Sequence, residues 1–299
     1  MSKKENKYKD YNKHKSTYAP TGLGEYFGLG RPIDFYDYPT RLCLMFTVLT
    51  AVAEMFYQSK ILQAEAGAMT MAIGVGFSFF FSFFITAELD PDRHAGGLIA
   101  GFLSALGVHF MGVGNAAVLI WLLWLLRMLN RTAGDRHRMV DDILLIGCAA
   151  YLGKTEFWTY PLLTAVAFII DSQLPEGYFG SYFLAAMAFA VTFFADMSRD
   201  PASLTVTYIY LGAVAFILFL PALRVASLCQ AVGDKDGAPL YKLRVWAAQG
   251  SFLFIIMTLI VMCGDKQAVN LLPAIMAAIG AGAFLPYDLA INKPYNNKN

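Results

Sequence analysis

Charge is what this sequence has least of. Asp, Glu, Lys and Arg make up 15% of its 299 residues, against about 25% in soluble domains. The formal net charge is only +1, so no global field draws in nucleic acid, and no such partner is expected. Cysteine is sparse as well. Cys43, Cys148, Cys229 and Cys263 stand far apart with no Cys-x-x-Cys pair. That argues against a disulfide framework or a thiolate metal site, and leaves them as small apolar residues. No Gly-x-Gly-x-x-Gly, His-Glu-x-x-His or Ser-x-x-Lys pattern occurs, and the stretch 147–155 misses phosphate-loop spacing with no strand before it. No cofactor and no metal are expected. A short apolar core near the start, the mark of a signal peptide, is missing too, so the expected insertion signal is the first apolar run.

Long apolar runs are what the chain does have, within a composition that is 57% hydrophobic and holds 24 Phe and 16 Tyr. They predict an all-α protein, a polytopic integral membrane helical bundle of about 8–10 transmembrane segments. Residues 1–40 form an N-terminal tail, 41–290 the transmembrane domain and 291–299 a polar tail. Within the first part, 1–16 is lysine-rich without apolar periodicity, which predicts disorder. Residues 17–40 alternate aromatic residues with Gly and Pro, suiting an arm laid along the membrane interface. Single spans are expected at 41–57, 68–87, 180–197, 204–223, 243–263 and 269–289. Two blocks, 96–130 and 140–171, exceed the roughly 20 residues that cross a bilayer upright. The first should break at Gly112-Val113-Gly114-Asn115, because clustered glycines weaken a helix and Asn caps the next one. The second should break at Gly153-Lys154-Thr155-Glu156. Halves of about 15 residues reach only about 22 Å, so a re-entrant path is the alternative to a full hairpin, tolerated where protein or water surrounds the irregular backbone.

Basic residues on short loops mark the cytoplasmic side. Treating both blocks as hairpins puts the lysine-rich tail, the loop with Arg127, Arg131, Arg136 and Arg138, the loop 224–244 and the C-terminus inside. The expected location is therefore a cytoplasmic (inner) membrane with both termini cytoplasmic. Phe83-Phe84 precedes Asp90-Pro91 by the same interval as Phe193-Phe194 precedes Asp200-Pro201. Each copy then runs to Leu-Arg (126–127, 223–224) and Gly-Asp (134–135, 233–234). Matched points in one order fit a weak inverted repeat, as in many transporters. Convergent helix punctuation is the plainer account, since all four are common dipeptides.

Few residues here are of the kind that does chemistry. Glu88, Asp90, Asp92 and His94 alternate on one loop and would suit a divalent ion if Asp141 and Asp142 supplied further ligands. The plainer expectation is a solvated, capped loop balanced by Arg93. Glu54 and His109 fall inside apolar runs, where ionisable groups are costly and tend to be functional. Beside a break, His109 would either line a cavity or satisfy freed backbone. Phe27, Phe35 and Tyr36 in the arm are candidates for partner binding. Besides the lipid bilayer, protein partners or a homo-oligomer are expected. Three functions fit. The first is an integral membrane subunit or scaffold of a larger membrane assembly, such as a secretion, transfer or envelope complex. The second is a transporter or channel, and the third an intramembrane enzyme acting on a lipid-linked or phosphorylated substrate. Scarcity of buried charge puts the scaffold first, and enzymatic activity has the least support.

Overall fold

The computed structural model describes residues 26–30, 35–63, 66–195 and 203–291. The lysine-rich stretch, most of the arm, the Asp200-Pro201 point of the repeat and the polar tail beyond residue 291 lie outside these. Among the described residues there is no β-strand, only an isolated bridge between Val232 and Pro239. The helices in order are α1 (Tyr38–Phe56), α2 (Ala68–Leu89), α3 (Gly96–Met111), α4 (Ala116–Asn130), α5 (Met139–Thr155) and α6 (Thr159–Gln173). They continue as α7 (Ser181–Thr192), α8 (Val206–Val225), α9 (Lys242–Cys263), α10 (Asp265–Asn270) and α11 (Leu272–Ile291).

Both long blocks are broken. The first divides at Gly112–Asn115, where Gly112 ends α3 with φ at +96°, a value that strains any residue with a Cβ. Asn115 then caps α4, its Oδ1 accepting the Ala117 N–H at 3.0 Å. The second divides between Thr155 and Thr159. Two expected spans come out shorter. Helix α7 stops at Thr192 because the N–H groups of Phe193, Phe194 and Ala195 bond back three residues, tightening the last turn. The last span begins at Leu272, since Leu271 leaves helical geometry and isolates α10 as a short helix.

Five helical stretches are long and apolar enough to cross a membrane: Tyr38–Ile61, Ala68–Leu89, Val206–Leu228, Lys242–Cys263 and Leu272–Ala290. Helices α3, α4 and α7 are apolar but shorter. The protein is a helical membrane bundle.

The chain forms two compact units. The first takes the described part of Met1–Pro32 with Trp124–Met197 and Leu228–Ala248. Here α5, α6 and α7 pack together. Loops 131–138 and 229–241 pair through their backbones, with Asp234 N–H donating to Thr132 O at 3.0 Å and Lys235 N–H to Ala133 O at 3.1 Å. These loops hold Gly134-Asp135 and Gly233-Asp234, the closing points of the weak repeat.

The second unit takes Ile33–Leu123, Ser198–Ser227 and Gln249–Asn299. Helix α11 is its hub, packed on α2, α3 and α8, while α1 lies on α2 and α3. Gly97 and Gly101 of α3 face Phe83 and the Phe79 ring of α2 so closely that a Cβ at either would collide. Small residues on α3 thus let the two helices approach closely. Cys43, Val75, Phe79, Phe83, Val108, Leu272 and Met276 form the core. All four cysteines are free thiols.

Candidate functional site

The second unit brings together the two ionisable residues that the sequence places inside apolar runs. Asp37 starts α1 by accepting the Thr40 N–H on its side chain. Nearly five turns later, Glu54 is buried. His109 Nδ1 on α3 lies 2.7 Å from Glu54 Oε2. Gln58 Nε2 donates to the other carboxylate oxygen, Oε1, at 2.7 Å. Gln58 reaches it from a π-turn, Tyr57–Ile61, that continues α1. The same turn sets the Tyr57 ring edge-on to His109 with centroids 5.0 Å apart. Such turns interrupt the regular ladder and recur at functional sites. His109 thus bonds a carboxylate rather than the backbone freed by the break. The contact gives each group a polar partner in a place where either alone would be expensive.

The α3–α4 break is braced by a second one. Asn115 N–H donates to Asn270 Oδ1 at 2.8 Å, and Asn270 sits where α10 gives way to α11. A cavity of about 310 Å³ opens beside this junction, lined by Ile73, Phe77, Ser78, Val108, Val113 and Pro273 among others. Val108, one residue before His109, belongs to its wall.

The acidic loop is organised by its arginine. Arg93 Nη1 donates to Asp90 at 3.3 Å and Arg93 Nε to Asp288 Oδ2 at 2.7 Å, which ties the loop to the end of α11. Burial pushes the Asp90 carboxyl up to about 6, against the opposing pull of Arg93. Glu88 is buried, Asp92 exposed and His94 half-buried. Among the described residues, no group of three or more His, Cys, Asp or Glu side chains is arranged to hold a metal ion.

Asp141 and Asp142 work within the first unit. Asp141 Oδ2 accepts the N–H groups of Gly28 at 2.6 Å, Leu29 at 3.3 Å and Arg138 at 2.9 Å. Lys235 Nζ donates to the carbonyls of Phe27 at 2.7 Å and Gly28 at 2.9 Å. Burial, the largest influence on it, lowers the lysine's pKa. Leu29 is fully buried, Phe27 half-buried, and Phe35 and Tyr36 are exposed at 63% and 95%. Part of the arm is therefore seated on its own chain, while Tyr26, Phe35, Tyr36 and Tyr38 are exposed.

Asp142 belongs to a buried network that the sequence did not disclose. Its Oδ1 lies 2.6 Å from His137 Nδ1. His137 Nε2 faces Ser181 Oγ at 3.3 Å and Asp171 Oδ2 at 3.2 Å. The order Asp–His–Ser is that of an activated nucleophile, but the proton is in the wrong place. Ser181 Oγ donates to Asp171 at 2.9 Å. Although burial pulls the other way, hydrogen bonds and charge from Asp142 and Asp171 raise His137 to about 9. An imidazolium with a donor on each nitrogen cannot take a hydroxyl proton. Arg244, fully buried, completes the network with Nη1 donating to Asp171 Oδ1 at 2.9 Å and Leu129 O at 3.0 Å, and Nε to Pro175 O at 2.8 Å. The group is a charge lock. Its members come from the loop 131–138 and from α5, α6, α7 and α9, and beyond Asp142 the sequence signalled it only by an Asp and an Arg at the edges of apolar runs.

Fold and composition define an integral membrane protein of the all-helical class. No protein-family model, characterised protein or solved structure matches the chain.

Proposed function

We propose that this integral membrane protein is of transporter type, carrying a solute past the broken α3–α4 block with the Glu54–His109 pair as its protonation point. The observation that carries this reading is the pair itself, two ionisable groups from different helices bonded at 2.7 Å inside apolar sequence. Paired ionisable residues at membrane depth mark ion and substrate paths. Irregular backbone at depth is tolerated where it lines a cavity, as in transporters with interrupted helices. The docking of Gly28 and Leu29 on their own chain removes part of the support that the aromatic arm lends to a scaffold. Among the described residues the Asp142–His137–Ser181 order would favour an enzyme, but His137 lies between two carboxylates and Ser181 donates to Asp171, which speaks against an activated nucleophile.

Location in a cytoplasmic (inner) membrane, with termini inside, belongs to the same proposal. The pairing of loops 131–138 and 229–241 and the seating of residues 27–29 beside them support it, because these are the basic segments that the charge rule assigns to one face.

A subunit of a larger assembly is the second reading, favoured by the solvent exposure of Phe35 and Tyr36 and by the little surface that α1 buries. Purification from the native membrane in mild detergent separates the two. A protein that emerges alone and monodisperse, and whose proteoliposomes equilibrate an imposed pH step faster than empty vesicles unless Glu54 is replaced by Gln, fits transport. Stable co-purifying proteins lost on replacing Phe27, Phe35 and Tyr36 with Ser, together with proton movement indifferent to Glu54, overturn it.

A further inference from the structure

The cavity beside the α3–α4 break has a size and a lining that narrow what it can hold. At about 310 Å³ it is about twice the roughly 150 Å³ of an apolar protein cavity that takes up benzene. It also falls at the lower end of the roughly 300–1,000 Å³ found for small-molecule sites. No charged side chain lines it, so an ion entering would lose its hydration with nothing to replace it. Ile73, Phe77, Val108 and Val113 make the wall apolar. Thr70, Ser78 and Asn270 are the polar residues of the lining; Thr70 is exposed, the Asn270 amide is engaged by Asn115 and Gln267, and Ser78 is almost wholly buried. Its hydroxyl donates to Val75 O at 2.7 Å, which leaves the oxygen lone pairs to accept a bond. A lipid acyl chain has no donor to offer and would leave that acceptor dry.

We infer that this cavity binds an uncharged, ring-sized amphiphile bearing one N–H or O–H group, the ring against the apolar wall and the donor on Ser78 Oγ. The inference rests on the transport reading and names its substrate class. It is tested with 5-fluoroindole as the probe, using fluorine NMR on the full-length protein in phosphatidylcholine nanodiscs. Saturable binding beyond the partition seen with empty discs is expected. Ala116→Phe, which fills the cavity, should weaken it about tenfold or more through lost apolar contact. Ser78→Ala keeps the space and removes the acceptor, and should weaken it about threefold to tenfold, the range of one neutral hydrogen bond. Should Ala116→Phe not fold, Val113→Phe on the exposed irregular segment fills the same space. Binding that matches empty discs, or that neither variant alters, overturns the site. So does native mass spectrometry showing a phospholipid held by the parent and released by the filled variant. Loss of binding with Glu54-dependent proton movement intact removes the site and leaves the transport reading. Binding as described with proton movement indifferent to Glu54 removes the transport reading and leaves the site.

Discussion

Replacing Arg244 with Met probes the charge lock of the first unit most directly. Arg244 and Asp171 are both 0% exposed, and Nη1 meets Oδ1 at 2.9 Å. Removing one member of a buried pair strands the other, at about 3–5 kcal/mol. The loss should sit at the upper part of that range, because the carbonyls of Leu129 and Pro175 lose donors at the same time. Asp171 is not left wholly bare, since His137 and Ser181 remain on Oδ2. Asp171→Asn should cost at least as much, because it leaves Arg244 and His137 both short of a counter-charge. The double variant, Asp171→Leu with Arg244→Met, should be far less damaging than the sum of the singles, since an apolar replacement removes the stranded charge with its partner. Unfolding in detergent micelles, followed by tryptophan fluorescence, reads all of these. Midpoints of the single variants should fall by roughly 5–10 °C for such losses in a chain of this size. Single variants costing under about 1 kcal/mol, the behaviour of an exposed pair, would refute the reasoning. So would strict additivity in the double.

Other outcomes follow from the same geometry. His137 is raised from 6.5 to about 9, so the folded state binds its proton more tightly than the unfolded chain. Its stabilisation should be complete below pH 6.5 and fade as pH climbs through about 9, and His137→Gln should flatten the stability–pH curve across that window. A cysteine at exposed Ala238, in a background without the native thiols, should resist an impermeant thiol reagent added to intact cells. Ready labelling would move the paired loops outside. Gly28→Val should unseat the arm, because a Cβ there would lie 2.0 Å from the Arg136 carbonyl oxygen. Faster proteolytic removal of the N-terminal residues, with membrane insertion unchanged, is the expected sign.

Local chemistry was legible in the sequence where a single position decides it. Gly112 and Asn115 announce the α3–α4 break because a left-handed glycine and an Asn cap act on their own neighbours. Glu54 and His109 stand out because charge inside an apolar run is conspicuous, although their meeting depends on how α1 crosses α3. One helix end was hidden, since Phe193–Ala195 is as apolar as the helix it ends, whereas the α10–α11 break has local marks in Asn270 and in Pro273 at the second position of α11. The charge lock was hidden for a different reason. Asp171 and Arg244 are 73 residues apart, His137 lies in a basic loop, and no local pattern records that all three are dry.

The order in which the chain is made gives α11 a peculiar position. It is the hub on which α2, α3 and α8 pack, yet it follows all three along the chain and is made after them. Until it arrives, those helices must wait in the bilayer with their inner faces turned to lipid or to transient partners, the exposure that makes intermediates of larger proteins prone to misassembly. The first unit has no such delay, since its last segment ends at Ala248. The Glu54–His109 bond, made by helices that enter early, is then one of the few polar contacts available to hold α1 and α3 together during the wait. A pair that serves the working protein would also serve its birth.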